Sequence, residues 1–236
     1  MSVVVRNVPR VDAHVRDAFG AFGVATIHEA QGRVGLLAPY ITPIYSGARL
    51  RGTAVTVEVP PSDNWMIHVA VEQCQPGDVL VVAPTEPCED GYFGELLATA
   101  LAYRGVGGLV IDAGCRDVAE LQEMGFPVWS RCVSAQGTVK QRLGSVNVPV
   151  VCAGQRVHPG DLVVGDDDGV VIVPRAEAVD VLAATKARHD SELASRRRYR
   201  SGELSLDTSS MRDALHDKGL TYVDYATYVE DRDSVQ

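Results

Sequence analysis

Lysine is the scarcest charged residue in this chain, which has only three, at positions 140, 186 and 218. An enzyme that forms an imine with its substrate needs a lysine whose surroundings are apolar. Lys140 follows a polar turn, Lys186 lies in a charged helical segment, and Lys218 precedes a glycine. The sequence therefore disfavours imine chemistry and favours a metal ion wherever the reaction needs an electron sink.

The chain also lacks paired cysteines and long apolar runs. Its five cysteines include no CxxC pair, which argues against a zinc ribbon or a disulfide framework and fits a reducing compartment. No apolar run approaches the roughly 18 residues of a membrane span, and the apolar stretch at the amino terminus is too short for a signal peptide. We therefore expect a cytoplasmic protein without a membrane partner.

The chain is acidic, with a formal net charge of −9 at pH 7. A nucleic-acid-binding protein needs a basic patch or stripe. The one basic cluster, RRRYR at 196–200, lies in a charged helical segment, which favours a solvated or inter-subunit face. The six histidines form no HxxxH or HxH pair. We predict no nucleic-acid partner and no histidine-based metal centre.

The composition is that of a globular protein, with 46% hydrophobic and 22% charged residues in 236. This length allows one well-buried domain with a tail. We predict an α/β core over 1–174. The segment 175–236 should form a C-terminal helix and tail that pack on a neighbouring subunit, because its first helix lacks a continuous apolar face.

Short valine-rich runs separated by turn residues predict buried strands. With the helical segments between them, they indicate a mixed sheet or a strand-layered barrel with helices outside. Helices are predicted over 11–23, over 26–32 with a capping box from Thr26 to Glu29, and over 63–75. GDDDG at 165–169 is interpreted as a tight turn between strands, because it lacks the spacing of a calcium-binding loop.

The most informative stretch predicts a helix over 95–104, a glycine turn and a buried strand over 109–113. The helix and the strand each span about 16 Å and run in opposite directions. The start of the helix and the Arg116-Asp117 pair after the strand should therefore meet at one edge. Because a strand at 79–84 precedes them, this edge lies beyond the carboxyl ends of parallel strands, where such sheets bind ligands.

The residues predicted at this edge suit an anionic ligand. The backbone N–H groups of Glu95, Leu96 and Leu97 at the helix start would favour an anion through the helix dipole. Arg116 offers a planar fork that matches a carboxylate or an enolate oxygen. Cys115, beside it, is interpreted as a small packing residue rather than a nucleophile.

The same edge suits a hard divalent cation. Asp117 supplies an oxygen ligand for Mg²⁺ or Mn²⁺, and Glu95 and Glu120 can hold the waters of the ion. An alternative assigns no chemistry to the pair: Arg116 and Asp117 would bind each other and cap the next helix, over 117–124.

These residues also resemble a known signature. Gly94-Glu95, then Arg116-Asp117 after twenty intervening residues, then Glu120 resemble the motif of class II pyruvate aldolases. Those enzymes cleave 4-hydroxy-4-methyl-2-oxoglutarate and 4-carboxy-4-hydroxy-2-oxoadipate, and their wider family includes the regulator of ribonuclease activity A. The resemblance runs from about residue 26 to residue 223. The segment 202–224 resembles the aldolase branch, because the short ribonuclease regulators lack it.

The resemblance implies a β/β/α swivelling-type layered domain with a mixed sheet and a C-terminal helical extension. It implies a metal-dependent lyase that uses Mg²⁺ or Mn²⁺ and cleaves a small 4-hydroxy-2-oxo dicarboxylic or tricarboxylic acid. The products would be pyruvate plus pyruvate or oxaloacetate, with oxaloacetate decarboxylation as a side activity. The competing hypothesis is a non-catalytic binding protein like the ribonuclease regulators.

The resemblance also implies a role for each of several residues in this chain. The expected catalytic residues are Arg116, Glu95 and Glu192. The expected substrate-binding residues are Gly94, Leu96, Leu97 and Arg116. The expected metal ligands are Asp117 and Glu120. Glu192 would come from the C-terminal helix of a neighbouring subunit, with Glu203 as the fallback, in a homotrimer or homohexamer. The candidates for recognising the substituent at C4 carry no ranking: Arg49, Arg51, Asn64, Trp65 and His68.

Overall fold

The computed structural model describes residues 1–233 and divides the chain into two compact units, Met1–Arg188 and His189–Gln236. Helix α6 runs across this division. The predicted boundary after residue 174 stays a prediction, and the last three residues of the predicted tail lie outside the described part of the chain.

The first unit contains most of the regular structure. Its strands within the described residues are β1 (Thr42–Pro43), β2 (Leu50–Val59), β3 (Asp78–Pro84), β4 (Gly91–Phe93), β5 (Leu109–Cys115), β6 (Val128–Val133), β7 (Ser145–Val146), β8 (Val150–Cys152), β9 (Gln155–Val157), β10 (Leu162–Asp166) and β11 (Gly169–Val173). Its helices are α1 (Ala13–Ala18), α2 (Val24–Ala30), α3 (Trp65–Val71), α4 (Glu95–Tyr103), α5 (Val118–Glu123) and the first part of α6 (Ala178–Arg200). The second unit contains the rest of α6, then α7 (Ser205–Thr208), α8 (Met211–Asp217) and α9 (Tyr225–Asp233).

A mixed sheet organises the first unit. Its strand order is β1-β6-β5-β3-β2-β10-β11, with β4 beside β5 and β7 beside β2. The central strands β2, β3, β5 and β6 run parallel, whereas β10 and β11 pair antiparallel. Helices precede and follow the parallel strands, as expected for a sheet buried on both faces. This mixed layered fold with C-terminal helices confirms the predicted fold class.

Strand β3 shows how alternate side chains pack on the two faces of the sheet. Leu80 and Val82 are buried in the cluster that packs beneath α3, α4 and α5, whereas Val79 and Val81 belong to the cluster on the opposite face. Successive side chains of a strand point to opposite faces, so a continuous run of apolar residues serves both clusters. The run from 79 to 83 is buried throughout, as a central strand requires.

At the site, the observed α4 and β5 begin where they were predicted to begin. Some helix ends elsewhere differ from the prediction. The capping box at Thr26 is wrong: α2 begins at Val24, whose N–H donates to the Asp166 carboxylate at 2.9 Å. A carboxylate from the end of β10 therefore replaces the local cap. Helix α3 ends at Val71, four residues before the predicted end at Gln75. The predicted GDDDG turn is confirmed, because it joins the antiparallel strands β10 and β11.

Candidate active site

The start of α4 and the end of β5 meet at one edge of the sheet, as predicted, although β5 continues two residues beyond its predicted end, to Cys115. Strand β4, which the sequence analysis missed, lies parallel to the end of β5 and leads directly into α4. The backbone N–H of Arg116 donates to the carbonyl of Phe93 at 2.9 Å. This pairing places the Arg116-Asp117 pair beside the first turn of α4.

Asp117 connects the two elements. Its Oδ2 accepts the backbone N–H of Glu95 at 3.0 Å, and the Nε of Arg116 lies 3.7 Å from the same oxygen. Its backbone is left-handed, with φ 59° and ψ 43°, and its side chain makes no hydrogen bond to α5. A residue that caps its own helix has extended backbone instead. The alternative hypothesis is therefore right that the pair interacts and that Asp117 occupies the N-cap position of α5, but the carboxylate binds the start of α4 instead of α5.

Gly94 is required by the close approach of Asp117. A Cβ at this position would lie 2.2 Å from the Asp117 Oδ2 and 3.1 Å from the Arg116 Cγ. Its backbone is extended, with φ −158°, so the requirement is for space rather than for an unusual conformation. The glycine of the Gly94-Glu95 pair thus makes room for the carboxylate.

Two N–H groups at the start of α4 stay available. The first intrahelical bond runs from the N–H of Ala98 to the carbonyl of Gly94, and Asp117 occupies the N–H of Glu95. The N–H groups of Leu96 and Leu97 therefore have no intrahelical acceptor. Of the three donors predicted from the sequence, one is taken and two remain to bind an anion.

The carboxylates at this edge can hold a divalent cation only if water molecules and the substrate supply its remaining ligands. Asp117 is 37% exposed, and the structure records no protein partner for its Oδ1 among the described residues. Glu95 accepts a hydrogen bond from Thr99 at 2.7 Å, and Glu120 is exposed on the first turn of α5. The described residues contain no group of three His, Cys, Asp or Glu able to hold a metal ion. Mg²⁺ commonly binds through one carboxylate with several waters, so Asp117 fits as a single direct ligand.

These residues form one side of a cleft of about 140 Å³. We call this side the helix-start wall: Gly94, Leu96, Leu97, Arg116 and Asp117. The rest of the lining includes Asn64, His68, Thr138 and Lys140, which we call the anchored wall. The sequence analysis named Asn64 and His68 among its candidates but did not bring Thr138 and Lys140 to them, because the two segments are about 70 residues apart in the chain.

Asp63 holds the anchored wall together. It is fully buried, and its carboxylate accepts the N–H groups of Trp65 at 3.0 Å, Gln141 at 2.7 Å and Arg142 at 2.8 Å. The first bond caps α3, and the other two bind the segment that follows Lys140. Burial raises the pKa of Asp63, but the three N–H donors outweigh it and hold the pKa below its ordinary value.

His68 and Lys140 make the anchored wall polar. Burial lowers the pKa of His68, and the positive charge of Lys140 lowers it further. His68 is therefore neutral at pH 7, and Lys140 is the cation of this wall. Lys140 is exposed. It lacks the apolar surroundings that an imine-forming lysine needs.

The structure separates the five unranked candidates for the C4 substituent. Asn64 and His68 lie in the cleft, and Trp65 is exposed beside them. Arg49 and Arg51 instead border a different cavity, next to Gly20 and Asp166. The position of Lys140 in the cleft adds a cation that the sequence analysis had considered only as an imine former.

Three other residues weighed in the sequence analysis remain, one in the first unit and two in the second. Cys115 is fully buried, which raises the pKa of its thiol and agrees with a packing role. Glu192 lies in the second unit on α6, and Glu203, in the same unit, accepts a hydrogen bond from Arg198 at 2.8 Å. The roles predicted for these two glutamates stay predictions.

Comparison with known proteins identifies the family. The model of the RraA-like family, described as Aldolase/RraA, matches residues 12–172, which include both walls of the cleft. A protein of Halalkalibacterium halodurans, provisionally named 4-hydroxy-4-methyl-2-oxoglutarate aldolase, is 31% identical over 66% of this chain and 75% of its own length. A protein of Burkholderia multivorans with the same provisional name is 32% identical over 65% of this chain and 95% of its own.

A solved structure has the same fold. The crystal structure of Streptomyces coelicolor RraAS2, described as an unusual member of the RNase ES inhibitor RraA family, superposes with a TM-score of 0.72. It is 29% identical, and the match covers 80% of this chain and 99% of the other. The family match spans more than half of the chain and contains the whole cleft. The protein therefore belongs to the RraA-like family (Aldolase/RraA).

Proposed function

We propose that this protein is a divalent-metal-dependent class II aldolase. Its substrate would be 4-hydroxy-4-methyl-2-oxoglutarate or 4-carboxy-4-hydroxy-2-oxoadipate, cleaved to pyruvate plus pyruvate or oxaloacetate. The observation that carries the proposal is the helix-start wall, where a carboxylate, a guanidinium and two free N–H groups converge on one cleft. The provisional names of the relatives support this substrate class.

The helix-start wall matches the pyruvate half of such a substrate. The N–H groups of Leu96 and Leu97 would bind the C1 carboxylate, aided by the helix dipole. Arg116 would contact the carboxylate and the 2-oxo oxygen, where negative charge develops as the bond between C3 and C4 breaks. Asp117 would hold Mg²⁺ or Mn²⁺, with Glu95 and Glu120 binding nearby water. When bound, the cation would act as a Lewis acid toward the 2-oxo acid.

The anchored wall matches the other half of the substrate. Lys140 supplies a positive charge for a carboxylate at the distal end. Neutral His68 and the amide of Asn64 offer hydrogen bonds for the substituents at C4. Loss of CO₂ from oxaloacetate leaves the same pyruvate enolate, so we also propose oxaloacetate decarboxylation as a side activity.

The decisive assay measures pyruvate release from the two acids and from oxaloacetate, with Mg²⁺, with Mn²⁺ and with excess chelator. Release that depends on the cation and disappears in Asp117→Asn supports the proposal. The competing function is a non-catalytic ribonuclease regulator, which the description of the Streptomyces relative favours. A specific complex with a ribonuclease, together with no pyruvate release from any of the three acids, would establish that function instead.

We further propose that the active protein is a cytoplasmic homotrimer or homohexamer. Leu96 is 80% exposed and Tyr103 is 92% exposed on the same helix, which leaves apolar surface for another subunit to cover. All five cysteines are free, in keeping with a reducing compartment. No helix in residues 1–233 has the length and apolar character needed to cross a membrane.

Subunit mixing tests whether sites are shared. If Glu192 completes a neighbour's site, inactive Asp117→Asn and inactive Glu192→Ala subunits should regain part of the activity when they are mixed. Some sites in each mixed oligomer would then contain both intact residues. A fully active monomer by light scattering at the assay concentration would contradict the shared site while leaving the aldolase proposal standing.

A further inference from the structure

A second cavity lies at the carboxyl ends of the parallel strands β2 and β3. Its volume is about 270 Å³, and it is bordered by Glu58, by residues 83–85 at the end of β3 and by residues 149–151 at the start of β8. Among the residues that the structure describes, none borders both this cavity and the cleft. Open sheets of this kind bind ligands beyond the carboxyl ends of their parallel strands.

Glu58 places a carboxylate without a partner at this cavity. Val57 and Val59 pack in the cluster beneath α3, α4 and α5, so the side chain of Glu58, between them, points to the opposite face of the sheet. On that same face Thr56 is buried and satisfied, because its Oγ1 donates to the carbonyl of Val148 at 2.6 Å. The partly buried carboxylate of Glu58 has no hydrogen bond or ion pair within the described residues. A central strand thus presents a negative charge with no counter-ion.

The border of the cavity favours a cation over an anion. Within the described part of the chain it contains no lysine, arginine or histidine. Pro84 and Pro149 have no N–H group, and the N–H of Thr85 is occupied by the carbonyl of Val59 at 2.9 Å. An anion would therefore meet a carboxylate and few donors, whereas a cation finds the carboxylate of Glu58 and the hydroxyl of Thr85 as acceptors.

The rest of the border is apolar and held in place. Val150 is 5% exposed and packs in the same core cluster as Ala83, and Val151, the next residue of β8, is 63% exposed. The segment that leads into β8 is bound to β2, because the N–H of Asn147 donates to the carbonyl of Thr56 at 2.7 Å. A wall that is formed before the ligand arrives lowers the cost of binding. An alkyl chain can pack on this wall while its charged end reaches Glu58.

We propose that this cavity binds a primary ammonium group carried on a short alkyl chain. The ammonium group would donate to the carboxylate of Glu58 and to the hydroxyl of Thr85, and the chain would cover Pro149 and Val151. Free alkylamines and the side chain of lysine both carry this group. The site is separate from the aldolase cleft and does not depend on the proposed reaction.

Calorimetric titration with butylammonium chloride at pH 7 and constant ionic strength tests the site. We expect saturable binding that tightens up to about fourfold for each CH₂ from ethylammonium to butylammonium, the effect of burying one such group. Glu58→Gln should weaken it about tenfold, the low end of the range for losing a hydrogen bond to a charged group. Glu86→Gln is the matched control, because it removes an exposed glutamate that lies outside the cavity. It should bind within a factor of two of wild type.

The amide of Nα-acetyl-lysine distinguishes the two sources of the ammonium group. Its side chain has the same four-carbon chain as butylammonium, and its ends carry no charge. Binding tighter than that of butylammonium would support the proposal with a lysine side chain as the source, and weaker binding would support it with a free alkylamine.

The other results overturn the proposal. They are no saturable binding of butylammonium, no effect of Glu58→Gln, equal weakening by Glu86→Gln, or weakening by Asp117→Asn alone, which would place the cation in the cleft. Butyrate that binds as tightly as butylammonium would refute the selectivity for a cation, and affinity independent of chain length would refute the apolar wall. Thermal unfolding of each variant confirms the fold. Val151→Ser, at an exposed position, should weaken butylammonium binding about fourfold, and it keeps the test valid if Glu58→Gln is unstable.

Discussion

The two walls of the cleft are built in different ways. The helix-start wall comes from one continuous stretch, in which α4 and the antiparallel return through β5 bring the chain back to the same edge. The anchored wall comes from α3 and a distant segment, which are joined by the buried carboxylate of Asp63 and by backbone hydrogen bonds of Val139 with Ser62 and Asn64. The first wall carries the groups suited to the bond-breaking step, and the second carries groups suited to recognising the rest of a substrate.

The largest effect is expected from the helix-start wall. Asp117→Asn keeps the shape of the side chain and removes the charge that would hold a hard cation. Activity should fall by about a thousandfold or more, because a metal Lewis acid contributes several kcal/mol to the transition state. Steady-state pyruvate release at increasing Mg²⁺ checks this, and excess Mg²⁺ should restore little. Full activity of this variant, or of wild type in excess chelator, would exclude the metal mechanism.

Arg116→Lys should have the next largest effect. An ammonium group cannot reproduce the two-pronged contact of a guanidinium. Losing one preorganised donor to a developing oxyanion costs about 10²–10³ in kcat. The measurement is kcat for pyruvate release, with thermal unfolding as the fold control. A kcat within a few-fold of wild type would mean that Arg116 has only a structural role, through its pairing with Asp117.

Lys140→Gln separates the functions of the two walls. If Lys140 binds the distal carboxylate, KM should rise about tenfold while kcat changes little, because the lost contact exists in the ground state as well as in the transition state. Oxaloacetate, which lacks the C4 extension of the aldol substrates, should be affected less than they are. A loss in kcat as large as that of Arg116→Lys would show that both walls act in the chemical step.

Asp63→Asn should change stability and its pH dependence. The N–H groups of Gln141 and Arg142 would lose their shared carboxylate acceptor, at about 1.5–3 kcal/mol each, the range for a hydrogen bond to a charged group. Because the pKa of Asp63 is lowered by folding, its carboxylate stabilises the protein above the ordinary Asp pKa of about 3.9, and this stabilisation is lost as the pH falls through the lower folded value. Denaturant unfolding from pH 7 down to pH 2 should show a smaller acid-induced loss in the variant. An unchanged profile would mean that Asp63 does not anchor this wall.

The central elements of the fold were predictable because their signals are local. Alternate residues of β3 pack on opposite faces, so an unbroken apolar run predicts a strand buried on both sides. The start of α2 was mispredicted because its cap is Asp166, which lies 142 residues away in the chain. The three-residue strand β4 was missed, since so short a segment has no periodicity of its own.

The helix-start wall was predictable from the sequence, because a helix followed by a glycine turn and a buried strand returns the chain toward the edge where the helix began. The contact of Asp117 with the N–H of Glu95 could not be predicted in this way, since it depends on the left-handed backbone at Asp117, which turns the carboxylate toward α4. The structure also decided that Lys140 faces the cleft, because its position depends on the hydrogen bonds that the next two residues donate to Asp63. Periodicity reports contacts within a few residues of each other, whereas a buried carboxylate can join segments about 80 residues apart.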